Sequence, residues 1–263
     1  MKFAFDLISD LHVETWPDFD WTGQATAPYC VVAGDVARDR ELLIATLTHL
    51  GKCYPGGVFY IDGNEEHKDY YEDLSESYRD LYQQVSQIKN VVYLQDNVVI
   101  VNGVAILGTN AWWTFDMDPY IDYDQSREWF RDRYQINQTA VDAVESMALN
   151  DFAYLAKSVE RLQTHQDVKK IVIVTHTVPC VDLIKHDNEL ANTYRLNSSG
   201  NSHIMKAVVN DTESKIHTWC FGHYHGDVDS WVGGVRYVNN CKGRGNTPWS
   251  KSVYYPKRIE INF

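Results

Sequence analysis

The chain has 263 residues, of which 44% are hydrophobic and 23% charged, a balance that folds rather than stays disordered. Lys and Arg number 24 against 36 Asp and Glu, so the formal net charge is −12. That field repels long duplex nucleic acid and anionic lipid surfaces, and no apolar run approaches the roughly 20 residues that span a bilayer.

The first predicted strand, Phe3–Ile8, is interrupted by Asp6 and followed by no small-residue cleavage site, so no signal peptide is expected. It runs into Asp10-Leu11-His12. Tyr29–Ala33 is the second strand and leads to Gly34-Asp35. Glu41–Leu50 carries Leu42, Leu43, Leu47 and Leu50 at helical spacing. Val58–Ile61 reads as a strand ending at Gly63-Asn64, and Tyr70–Val85 as a helix with Tyr71, Leu74, Tyr78, Leu81 and Val85 on one stripe. Three short strands follow, Val91–Leu94, Val98–Val101 and Val104–Leu107.

Residues 110–134 read as an aromatic loop that also carries Arg127, Arg131 and Arg133; it is expected to form a satellite hydrophobic cluster or to stack a planar group. The longest helical pattern, Thr139–Leu162, precedes strand Ile171–Val174 and Thr175-His176. Ile216–Phe221 leads to Gly222-His223-Tyr224-His225. Val228–Val232, Val235–Val238 and Arg258–Ile261 complete the strands, with a basic glycine-rich loop at 242–246. Strands alternate with helices early and pair like hairpins later, which predicts a layered α/β sandwich with mixed sheets. The length suits a single domain over residues 1–263. The five cysteines form no Cys-x-x-Cys pair, so reduced thiols and a cytoplasmic setting are expected.

Five of these strands share one arrangement: each ends in small residues and then a metal-type ligand. In α/β sheets ligands gather beyond the carboxyl ends of strands. Extended residues i and i+2 point the same way, so Asp10 with His12, and His223 with His225, each present two ligands together. With Asp35, Asn64 and His176 the set holds two carboxylates, four imidazoles and one amide. That exceeds the needs of one four-coordinate ion and suits two divalent ions. Asp35, alone on its strand, is the natural bridging carboxylate.

These motifs, taken together, resemble the calcineurin-like metallophosphoesterases, whose pattern is Asp-x-His, Gly-Asp, Gly-Asn-His-Asp/Glu, a His after a strand, and Gly-His-x-His. The resemblance spans Asp10 to His225. It implies a four-layer α/β/β/α sandwich with two mixed sheets and a dinuclear site. One ion would take Asp10, His12, Asp35 and His225, and the other Asp35, Asn64, His176 and His223. It implies hydrolysis of phosphoesters, mono- or diester, by a hydroxide shared between the ions, with Mn, Fe, Zn, Co or Ni all compatible with the ligands.

One position departs from the pattern. The family's His after Asn is Glu65 here, and a His follows two residues later as His67. Either His67 donates a proton to the leaving oxygen, or Glu65 with a raised pKa does so, or the step runs without a strong general acid. Arg195 and Asn110 are the candidate substrate contacts. The expected partner is a small phosphoester; the competing reading is a non-catalytic metal-binding scaffold of the same fold that binds a protein.

Overall fold

The computed structural model describes residues 2–16, 18–187, 189–191 and 193–263. Strands β1 (Lys2–Ile8), β2 (Tyr29–Ala33), β3 (Gly57–Ile61) and β4 (Val91–Tyr93) run parallel in the first sheet. A second sheet holds β5 (Asn97–Val101), β6 (Val104–Thr109), β7 (Lys170–Thr175), β8 (Ile216–Phe221), β9 (Asp229–Val232) and β10 (Val235–Asn239), in the order β5-β6-β7-β8-β10-β9. Its inner strands are parallel and both edges antiparallel. The last strand, β11 (Lys257–Asn262), returns to the first sheet antiparallel to β1.

Alternation along the strands sorts the side chains into layers. Phe5, Leu7, Val31 and Ile61 of the first sheet face Ile106, Val172 and Val238 of the second across the sandwich interior. The alternate residues Ile8, Val32, Val58 and Tyr60 lie under α1 (Arg40–Cys53) and α2 (Leu74–Val85), which bring Leu43, Leu47, Leu50, Leu81 and Val85. Because both faces are covered, these strands read as continuous apolar runs. On the far side, Leu107, Ile171, Ile173 and Trp219 meet Leu155, Val159 and Leu162 of a long helix over residues 138–163. The result is the four-layer α/β/β/α sandwich expected from the sequence. Fully burying a side chain such as Leu47 contributes about 1.5–3 kcal/mol, and Leu47→Ala is expected to cost about 2–5 kcal/mol.

Two stretches differ from expectation. The helix expected from Tyr70 starts at Leu74: the Asp73 carboxylate accepts from the Glu76 amide at 3.0 Å, and Glu65–Asp73 forms tight 3-10 turns broken at Tyr70. The second is the aromatic loop, which contains a helix, α3 (Tyr123–Tyr134). Asp122 caps it by accepting from the Gln125 amide at 2.9 Å, and Arg131 and Arg133 occupy its last turn, where the helix dipole favours cations. Its fully buried positions are Ser126 and Phe130, so it shows almost no apolar stripe. With α4 (Gln138–Gln163) it covers a cluster of Trp112, Trp113, Phe115 and Tyr71. Among the described residues no helix is long and apolar enough to cross a membrane.

Candidate metal centre

The carboxyl ends of β1, β2, β3, β7 and β8 converge on one rim, and the seven ligand candidates meet there. Asp10, His12 and His225 form one group with ligand atoms within 4.8 Å of one another, and Asp35, His176 and His223 form a second. In the first group His225 Nε2 lies 3.2 Å from Asp10 Oδ1 and 3.3 Å from His12 Nε2. In the second, His176 Nε2 lies 3.1 Å from Asn64 Oδ1. Asp35 stands between them, its Oδ2 at 3.7 Å from His12 Nε2 and its Oδ1 at 3.4 Å from His176 Nε2.

The backbone is bent to make this possible. Asp10, His12, Asp35 and His223 all have left-handed φ, at 50°, 43°, 52° and 62°. Non-glycine residues rarely adopt that region, and such strain persists only where the surroundings fix it. Asp10 N donates to Gly34 O at 2.9 Å, His12 N to Asp35 O at 3.1 Å, and His223 N to the Asp10 carboxylate at 3.1 Å. Glu66, fully enclosed, accepts from the amides of Gly63, Asp35 and Val36 at 2.8, 3.2 and 2.7 Å, so it ties the β2 and β3 ends together. A Cβ on Gly63 would stand 2.6 Å from the Asp35 amide nitrogen, and one on Gly222 2.6 Å from Asp10 Oδ2. Only glycine leaves the ligands this close.

The electrostatics leave a place for positive charge. Burial holds His12 and His223 at about 3, so both rings are neutral and offer lone pairs. Burial works against the charged form of Asp10, but its bond to His225 and the nearby imidazoles keep its carboxyl well below the usual range. Asp35 is driven the other way, by burial and by repulsion from Asp10 and Glu65. His176 Nδ1 lies 2.9 Å from the Ala33 carbonyl, the bond that turns Nε2 toward Asn64 and Asp35 as an acceptor. Neutral imidazoles and crowded carboxylates aimed at one another fit divalent cations.

The two proton-donor candidates are placed differently from expectation. His67 is fully buried, with Nε2 at 2.9 Å from Asp62 Oδ2, Nδ1 at 2.7 Å from Ser77 Oγ, and its ring stacked on Tyr78. It does not line the cavity over the ligands. Glu65 does line it, but as a carboxylate: burial would raise it, yet Arg244 and Lys68 outweigh that and hold it at about 2. Asn110 is also buried away from the cavity, its Nδ2 donating to Asp62 Oδ2 at 2.7 Å. Arg195 does reach the cavity.

That cavity has a volume of about 730 Å³. Its floor is His12, Asp35, Asn64, His223 and His225, with the fully buried Asp10 and His176 behind them; its walls bring Lys68, Arg133, Arg244, Trp113, Trp129 and Tyr134. Lys68 carried no signal in the sequence beyond its place three residues after Glu65, the spacing that lets the two pair.

No family model and no curated protein matches the sequence. The fold does have solved counterparts. The chain superimposes on the phosphopantetheinyl hydrolase of Mycobacterium tuberculosis with a TM-score of 0.67 at 17% identity, covering 94% of each chain. A protein of Staphylococcus aureus described as a 5'-nucleotidase matches with a TM-score of 0.51 at 15% identity, over 100% of this chain and 51% of that one. At these identities the likeness is one of fold, an α/β sandwich.

Proposed function

We propose that this chain hydrolyses small phosphoesters with the help of two divalent ions. The observation that carries this reading is the pair of ligand groups on one cavity floor, with the two oxygens of Asp35 turned toward different groups. Asp10, His12, His225 and Asp35 would hold one ion; Asp35, Asn64, His176 and His223 would hold the other. When bound, such ions supply a nucleophile from water at neutral pH and positive charge for the phosphoryl oxygens.

The chain's own groups do the rest. The Ala33 carbonyl orients His176, and Glu66 keeps the Asp35 backbone against Gly63. Lys68 and Arg244, both paired to Glu65, place fixed cationic charge on the cavity wall. Preorganised charge of this kind stabilises the charge that develops on phosphoryl transfer.

Elemental analysis of the purified protein, followed by assays with a bis-aryl phosphodiester and an aryl monoester, tests the proposal. Bound divalent metal with turnover of either ester is expected. Absence of metal together with no turnover under added manganese would refute it.

A further inference from the structure

Resting on the hydrolase reading, we infer that the substrate is a phosphoanhydride of the nucleoside diphosphate type, with the terminal phosphoryl on the ligand floor and the leaving phosphate against a cationic wall.

The wall is built around the position where an imidazole was expected. Glu65 is enclosed, and Lys68 Nζ sits 2.8 Å from its Oε1 while Arg244 Nη2 sits 2.7 Å from its Oε2. Arg244 comes from a loop far along the chain that is fastened on both sides. Gly243 N donates to Asp10 O at 2.9 Å, Trp16 Nε1 to Gly243 O at 3.0 Å, and Gly245 N to Thr15 Oγ1 at 3.0 Å. One carboxylate thus holds two cations over the site, leaving a net positive charge. Arg133, on the last turn of α3, and Arg195, on the short helix α5 (Tyr194–Asn197), reach the same cavity. The two helices are joined by Asn197 Nδ2 donating to Ser126 Oγ at 2.9 Å. Neither guanidinium has an ion pair or hydrogen bond with any described residue, in a chain whose net charge is −12.

The wall's chemistry selects a leaving group. The imidazoles lining the cavity, His12, His223 and His225, all belong to the ligand groups, and His67 is turned away. A guanidinium does not give up its proton in proteins, so Arg244, Arg133 and Arg195 stabilise an oxyanion by charge. An alkoxide leaving group needs a proton; a phosphate leaving group departs as an anion and needs countercharge. The volume is also too great for one phosphoryl group: at about 730 Å³ the cavity is of the size that encloses a whole small ligand. Half-buried Trp129 lines the same cavity, and its indole is suited to a planar base.

In the step, the oxygen of water forms a bond to the terminal phosphorus and the bridging P–O bond breaks. The bridging oxygen keeps the electron pair as part of a nucleoside monophosphate anion. Inorganic phosphate is the other product, and the water's proton passes to solvent.

The test compares ADP, AMP and p-nitrophenyl phosphate as substrates of the manganese-loaded protein, and measures binding of the methylene-bridged ADP analogue by calorimetry. ADP is expected to exceed AMP in kcat/KM by about 100-fold, the range set by one or two charge-assisted bonds. Arg133→Met and Arg195→Met are each expected to weaken analogue binding about 10-fold, and Arg195→Lys to recover part of the loss. Turnover of p-nitrophenyl phosphate without a preference for ADP over AMP overturns the anhydride inference and leaves the hydrolase. Analogue binding as tight in both Met variants as in wild type also overturns it. Turnover of none of the three substrates overturns the anhydride inference, and the hydrolase reading falls with it only when the bis-aryl phosphodiester is not turned over either.

Discussion

The floor and the wall of the cavity are made by different means. Floor residues sit one to four positions past a strand, all but His223 and His225 are buried, and several hold left-handed backbone that the sheets force on them. The wall comes from the 65–73 turns, α3, α5 and the 242–246 loop, and its cations are half-buried or exposed side chains, Lys68 and Arg244 paired to one carboxylate and Arg133 and Arg195 to none among the described residues. Strain of this kind survives only where many contacts agree, so the floor is rigid by construction, while the Arg133 and Arg195 side of the wall is adjustable. Ion binding is therefore expected to depend on the floor, and substrate choice on the wall.

The hardest way to break that division is at Asp35. Asp35→Asn keeps the shape but halves the oxygens available between the groups, and the expected result is loss of at least one ion and a fall of about 10³ in kcat/KM. Metal content and aryl-ester kinetics on one preparation check it; a variant that keeps both ions and its rate would mean that Asp35 is not shared. Gly63→Ala attacks the same floor through space alone, since its Cβ would press on the Asp35 amide nitrogen at 2.6 Å. Metal affinity is expected to fall about 10- to 100-fold, the range seen when groups supporting the ligands are disturbed, as read by competition with a chelating dye.

Glu65→Gln sharpens the boundary. The Glu65 amide would still donate to Asp35 Oδ1, at 2.9 Å in the native chain, while the salt bridges to Lys68 and Arg244 would lose their charge. Bound metal is expected to remain and kcat/KM to drop about 10-fold, the scale of one charge-assisted interaction. Loss of metal in this variant would place Glu65 in the floor and erase the distinction.

The same division explains what the sequence could reveal. Floor ligands follow strands whose apolar runs are unmistakable, and all but His176 arrive with a glycine or a second ligand within two positions, so Asp10, His12, Asp35, Asn64, His176, His223 and His225 were legible as a group. The inner strands were legible for the same reason, since burial on both faces writes itself into composition, while the half-exposed β5, β9 and β11 were marked by β-branched residues and alternation. The wall has no such signature. Helix α3 buries little beyond Ser126 and Phe130, so no apolar periodicity marks it and the segment reads as a loop. Arg244 meets Glu65 across 179 positions of sequence, a contact that tertiary packing alone creates. His67 and Asn110 misled because their chemistry suits catalysis, while their position, two residues past Glu65 or one past β6, turns them inward to Asp62.

The smallest effect on activity is expected at His67, and it separates the buried network from both floor and wall. Asp62 is wholly enclosed and accepts from His67, Tyr78, Tyr93 and Asn110. Burial pushes its carboxyl up, but His67, through its hydrogen bond and its charge, and then Asn110 and Tyr93 prevail and hold it below the usual range. His67→Ala removes the strongest of those opposing influences and leaves a cavity beside a buried carboxylate, so a stability loss of about 3 kcal/mol is expected. A carboxyl depressed in the folded state contributes stability above its unfolded value, near 4, and loses it as pH falls through the folded value. The deficit of His67→Ala should therefore be full at neutral pH and narrow in acid, as urea unfolding at several pH values would show. Activity per folded molecule should stay within about twofold of wild type, because the ring touches neither the ligands nor the cavity. A large fall in kcat with unchanged stability would instead make His67 part of the reacting site and require the 65–73 turns to rearrange when substrate binds.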